Sequence, residues 1–344
     1  MHRFSKQVAH GLAAGAMVGA ALAFTGVAGS GTAAAAGKDL KMAFFPSPRH
    51  PLWGKMMMPW AKDLEKANPN IKVKGFPGSQ IGGSPPGAFK RVINGISDIE
   101  LHLPGYTSTV FPRTLVMEIP LQHASPTAAT RAFWRIYDKH IASEYKRVKL
   151  LAAFATDVPA VMTNKIVRTP SDLKGMKLRT PSRNQAAIIK GLGAIPVAMP
   201  MTQTYSGIQK GVVDGAIVGI SVVNSFKIGE VADKYIVDLP FGYSPIIIAM
   251  NRKAYDGLSK GERAYIDANS GLKYSLVGGT SYERARIGAL KTIEKRKNTS
   301  VTTVTADERK KWVAKLEGVV AGWVAEFEKQ GLPYRQILND YLKK

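Results

Sequence analysis

Between Met176 and Ile217 short apolar runs alternate with helical ones in an order that few folds accommodate. Met176-Lys-Leu-Arg-Thr alternates like a strand, Pro181-Ser182 turns the chain and supplies a serine cap, and Ala186, Ile189 and Leu192 recur at helical spacing up to Gly193. Ile195-Pro-Val-Ala-Met then predicts a second strand, Thr202 a cap, Tyr205 to Lys210 a second helix closed by Gly211, and Asp214-Gly-Ala-Ile-Val a third strand. Strands separated by single helices cannot pair as hairpins, so the segment predicts a parallel sheet with helices on its faces. Ligands of open parallel sheets bind beyond the carboxyl ends of the strands. Arg179 falls at that end of the first strand, a position suited to a bound anion.

The flanking chain repeats the theme. Leu40 to Phe45 reads as a strand, followed by the turn Pro46 to Pro51 and a helix from Leu52 to Lys66 that Pro59 should kink. Ile71-Lys-Val-Lys, a Gly/Pro-rich connection, a helix near Ala88 to Asn94 and a strand at Ile99 to Leu103 complete a second α/β series. Ala128 to Tyr145 predicts a helix, and Leu150 to Phe154 begins a crossing to a second lobe. Pro245 to Met250, apolar throughout, suits a strand buried on both faces that returns to the first lobe. The capping box Ser259-x-x-Glu262 opens a helical tract ending near Lys297, with Gly278-Gly279 as the place where it could break. Thr305-x-x-Glu308 opens another, whose Trp312, Leu316, Val319, Val320, Trp323 and Phe327 form a docking stripe.

The expected organisation is a signal peptide over 1–36, lobe I over 37–155 completed by about 245–285, lobe II over 156–244, and C-terminal helices over 286–344 packing across both. The signal expectation rests on the basic start Arg3 and Lys6, an interval without charge up to Lys38, and small residues ending in Ala33-Ala-Ala-Ala36. Gly, Ser and Thr dilute the apolar run, so a permanent membrane anchor is the weaker reading and the mature chain should begin near Gly37. The absence of cysteine excludes disulfides, thiol catalysis and a lipid-modified N-terminus.

The formal net charge is +23, a field that attracts anions of any size. The basic residues are dispersed, however, and no zinc finger, basic zipper or RNA-binding aromatic signature accompanies them, so nucleic acid is not the expected partner. His50, His102, His123 and His140 show no metal spacing. There is no GxSxG elbow or phosphate-binding loop, and Gly191-Leu-Gly-Ala-Ile-Pro caps a helix rather than cradling a dinucleotide. Asp214 lacks an acid/base partner and reads as a turn former. No cofactor and no catalysis are expected.

Asp172-Leu-Lys-Gly-Met-Lys-Leu-Arg-Thr-Pro, Gly193-Ala-Ile-Pro-Val-Ala-Met-Pro and Gly211-Val-Val-Asp-Gly, in this order, resemble the solute receptors of tripartite ATP-independent periplasmic (TRAP) transporters, the DctP-type family. Phe76-Pro-Gly-Ser-Gln-Ile-Gly and Met250-Asn-Arg-Lys-Ala-Tyr extend the resemblance along the chain. It implies a two-lobed periplasmic-binding-protein-like fold with discontinuous domains, a ligand cleft at the hinge, a periplasmic location, and delivery of a small organic acid anion to the membrane subunits of a TRAP carrier. It also implies that Arg179 forms a two-point salt bridge with the carboxylate of the solute. Sialic acid receptors of this class carry a second arginine where local alignment places Ala160 here, which argues against sialate or dicarboxylate. Around Arg179 the second-lobe wall is expected to be apolar, with Met201 and the hydroxyls of Ser182 and Ser221. Phe45, Arg49, His50 and Tyr106 from lobe I, and Phe241 and Tyr243 near the return, are candidates to close over the ligand, with Arg49 able to act as a second cation. The expectation is an apolar or aromatic monocarboxylate; a sensory ligand-binding protein or an enzyme on the same scaffold are the alternatives.

Overall fold

The structure, a computed structural model, describes residues 37–120 and 123–343; the expected signal segment lies outside the described residues. In chain order the strands are β1 (Lys38–Phe44), β2 (Ile71–Pro77), β3 (Ile99–His102), β4 (Val148–Ala155), β5 (Pro159–Thr163), β6 (Lys177–Thr180), β7 (Ile195–Ala198), β8 (Gly215–Gly219), β9 (Lys234–Val237), β10 (Pro245–Asn251) and β11 (Ser300–Thr303). They build two sheets, ordered β2-β1-β3-β10-β4 and β11-β9-β5-β8-β6-β7. The strands of the unit read from Met176 onward form as expected, with β6 parallel to both β7 and β8, but the second helix runs Met201–Gln209 with Pro200 as its N-cap, so Thr202 lies inside its first turn rather than capping it. β1 likewise runs parallel to β2 and β3.

Each sheet also holds one strand that runs against its neighbours. β10 is antiparallel to β3 and β4, and β5 is antiparallel to β8 and β9. These are the strands by which the chain changes sheets: β4 passes into β5 through residues 156–158, and β9 returns to β10 through residues 238–244. The Thr156 N–H donates to the Ser244 carbonyl at 3.0 Å, tying the two crossings together.

Local structure departs from expectation at definable points. β5 was not anticipated: Pro-Ala-Val-Met-Thr is buried at every position, so it shows no alternation. β11 is a short run of half-buried residues that gains strand character only by pairing with β9. Pro59, which lacks an N–H, is preceded by a π-helical turn, Trp53–Met57, so the expected kink takes the form of a change of helical register. The helix expected to reach Tyr145 is regular only over Pro126–Ile136 and continues as a π turn and a 3₁₀ turn. The tract after Ser259 breaks at Asn269–Ser270, where Gly271 adopts φ +69°, while Gly278-Gly279 lies inside an unbroken helix, Gly271–Glu294. Gly278 is needed for approach rather than for a break, since a Cβ there would stand 2.6 Å from the Phe154 ring of β4.

Helix Ala306–Lys329 buries Trp312, Leu316, Trp323, Val324 and Phe327 and packs on helix Arg183–Gly191. Helix Tyr334–Leu342 then packs on Pro126–Ile136.

Candidate functional site

The carboxyl ends of β1, β3, β6 and β8 and the two crossings meet around a cavity enclosing about 550 Å³ of empty space, its open mouth included. Phe45, Leu101, Leu103, Ile217, Val222, Phe226 and Ile246 make most of its wall, and His50, Thr156, Asp157, Arg179, Ser244 and Tyr282 add polar groups.

Arg179 is 1% exposed. Its Nε donates to the Met199 carbonyl at 2.9 Å and an Nη donates to the Tyr106 hydroxyl at 3.4 Å. That hydroxyl also accepts from the Met201 N–H at 2.9 Å. Tyr106 comes from the 3₁₀ turn Pro104–Thr107 after β3, so one ring clamps the guanidinium and the start of helix Met201–Gln209 together. Among the described residues no carboxylate pairs with Arg179. Burial holds its pKa below the ordinary arginine value, with Tyr106 opposing, but a guanidinium stays protonated in any protein. The cavity therefore contains a fixed positive charge with donors to spare.

Of the residues singled out from the sequence, the structure brings Phe45, His50, Met201 and Arg179 into the wall, with Tyr106 bonded behind. The others are engaged elsewhere. Arg49 is exposed and does not line the cavity. Ser182 caps helix Arg183–Gly191 by accepting from the Gln185 N–H at 3.0 Å, and its hydroxyl donates to Glu118 Oε2 at 2.7 Å. Ser221 donates through its hydroxyl and its N–H to Asp157 at 2.5 and 3.0 Å. Phe241 is core, edge-on to Trp312 at 6.0 Å, and the Tyr243 hydroxyl donates to the His123 carbonyl. His50 is buried and its pKa is pulled down to about 3 by desolvation, so it lines the wall as a neutral ring.

Two carboxyl groups escaped the sequence reading. Asp157, on the β4–β5 crossing, is 1% exposed, and burial pushes its pKa up to about 6 against the pull of the Ser221 bonds. Glu118 does not line the cavity; burial pushes its pKa up to about 8 despite bonds from Ser182 and Gln185. Neither sits in a motif, and their burial follows from crossings invisible in a linear pattern.

Residues 42–329 match the family model described as bacterial extracellular solute-binding protein, family 7, DctP. The chain belongs to this family. A TRAP solute binding protein from Rhodoferax ferrireducens, solved with copurified benzoate, is 30% identical with a TM-score of 0.85, and the match covers 88% of this chain and 96% of that one. A marine metagenome TRAP solute binding protein described as specific for aromatic acid ligands, solved with 3-hydroxybenzoate, is 29% identical with a TM-score of 0.85, over 89% and 97% of the two chains. The 2,3-diketo-L-gulonate-binding periplasmic protein YiaO of Escherichia coli is 30% identical over 199 residues, a span of 57% of this chain and 60% of that relative's length. The fold is thus the two-lobed arrangement of TRAP solute-binding proteins. Family 7 proteins are extracytoplasmic solute receptors, and no helix among the described residues is long and apolar enough to cross a membrane.

Proposed function

We propose that this family 7 receptor captures an apolar or aromatic monocarboxylate between its lobes, holds the carboxylate on Arg179, and delivers the solute to the membrane subunits of a TRAP carrier. The observation that carries the reading is Arg179 itself: a buried guanidinium in an apolar cavity with no carboxylate partner among the described residues. A buried charge is costly unless paired, so the site is completed by an anion from outside. Among the described residues only one arginine lines the wall, which suits one carboxylate better than two. The apolar remainder suits a hydrocarbon body, and the two similar receptors solved with benzoate and 3-hydroxybenzoate support an aromatic one. In this reading residues 1–36 direct export and are removed, and the captured acid is returned unchanged, which mass spectrometry of the released ligand checks.

Isothermal titration of the mature protein with benzoate and phenylacetate tests the clamp. Arg179→Ala removes one member of a buried charge pair and should weaken binding by roughly 30- to 4,000-fold, equivalent to about 2 to 5 kcal/mol. Arg179→Lys should weaken it by about tenfold or more, because an ammonium cannot reproduce the two parallel bonds. Wild-type affinity in folded samples of both variants would overturn the assignment.

A further inference from the structure

The cavity carries a second charged side chain that an unsubstituted aromatic acid would leave unused. Asp157 lines the same wall as Arg179 but forms no ion pair with it: Arg179 pairs with Ala216 of β8, while the Asp157 carboxyl stands against Gly219, three residues further along that strand. Its Oδ2 accepts from the Ser221 N–H at 3.0 Å and its Oδ1 from the Ser221 hydroxyl at 2.5 Å. A carboxylate has about four acceptor positions. Ser221 occupies two of them, the backbone N–H of Asp157 itself also favours the charged group, and Arg286 acts on it only from beyond ion-pair distance.

Gly219, also in the wall, bears directly on how this carboxylate meets the cavity. A Cβ at Gly219 would lie 2.0 Å from Asp157 Oδ1, so any other residue would displace the carboxyl group. The wall beside the carboxylate is bare backbone. Burying a carboxylate with unused acceptors against an apolar cavity is unfavourable, and a valine or leucine would serve a plain hydrocarbon body better.

We infer that Asp157 is a specificity-determining residue that accepts a hydrogen bond from a hydroxyl on the solute, remote from the carboxylate held by Arg179, which makes the solute class the hydroxylated aromatic monocarboxylates. The inference rests on the assignment of Arg179 above. A hydroxyl fits better than an ammonium group, because Ser221 already compensates part of the charge and Asp157 is the one acid among the described residues of the wall.

The test is a ligand ladder read by titration calorimetry on the mature protein: benzoate and phenylacetate, their singly hydroxylated derivatives, and the methyl ethers of those derivatives. At least one hydroxylated acid should bind roughly 10- to 150-fold more tightly than both its parent and its ether, the strength of a hydrogen bond to a charged acceptor. In Asp157→Asn and Asp157→Ala that ratio should collapse to within about threefold, whatever happens to absolute affinity. If the wild type binds parent and hydroxylated acids alike, the inference fails while the Arg179 clamp stands. If none of the acids binds, the aromatic reading of the solute fails with it. A ratio that persists in both variants would show that Asp157 only braces Ser221, and would overturn the proposal.

Discussion

Glu118 shows how much a single buried carboxyl can govern. It accepts bonds from Ser182 and Gln185 at the start of the helix after β6, yet desolvation outweighs them and its pKa rises to about 8. Glu144 is raised to about 7 for the same reason. Groups raised in this way favour the folded state fully below the ordinary glutamate range, and that contribution is lost as pH climbs through the folded values. His50 and His102, pulled down to about 3 by burial, work the other way, but only below about pH 6.5, where an unfolded chain takes up protons that the folded one refuses. Among these groups the glutamates alone act between pH 6.5 and 8.5. The unfolding free energy of the ligand-free protein, read by urea titration, should therefore fall across that interval by up to about 1.4 kcal/mol per pH unit for each glutamate, and Glu118→Gln should flatten the decline. A midpoint that rises with pH there would contradict the assignment.

At the scale of elements, helix Gly271–Glu294 carries a paired test. Gly278 faces the Phe154 ring, while at Gly288 nothing lies within 4 Å of a built Cβ. Gly278→Ala should destabilise by about 1 to 3 kcal/mol through overpacking. Gly288→Ala should stabilise by about 0.5 to 1 kcal/mol through helix propensity. Equilibrium urea unfolding reads both, and equal effects would show that the close approach to β4 is wrong. Elements with a local signature were legible: the caps Ser182, Ser259 and Thr305 all accept from the third residue onward, as their spacing demanded. β5 was not, because its five residues, with a proline at one end and a threonine at the other, show neither alternation nor the long apolar run that marked β10, and Gly278 was misjudged because its partner lies on a strand more than a hundred residues earlier.

For the whole molecule, the formal charge of +23 comes from basic residues dispersed along the sequence, while recognition is assigned to one shielded pair. Raising salt from about 50 to 200 mM should slow association, because long-range steering is screened, yet change benzoate affinity less than about tenfold. A protein neutralising many phosphates would lose roughly a thousandfold or more over that interval. Stopped-flow and equilibrium titrations separate the cases, and a steep equilibrium dependence would reopen the nucleic acid reading. At 100 times its dissociation constant the ligand should add about 2.7 kcal/mol of stability, visible as a raised unfolding midpoint.

The α/β order, the parallel unit around β6 and the position of Arg179 at a strand end were all set by the sequence itself, because period, caps and turn residues act over a few neighbours. The tertiary structure alone decided which distant side chains meet. Tyr106 reaches Arg179 across 73 residues, and Ser221 reaches Asp157 across 64. Such pairings, and the pKa values that follow from them, depend on desolvation, which exists only once both sheets have closed over the same space.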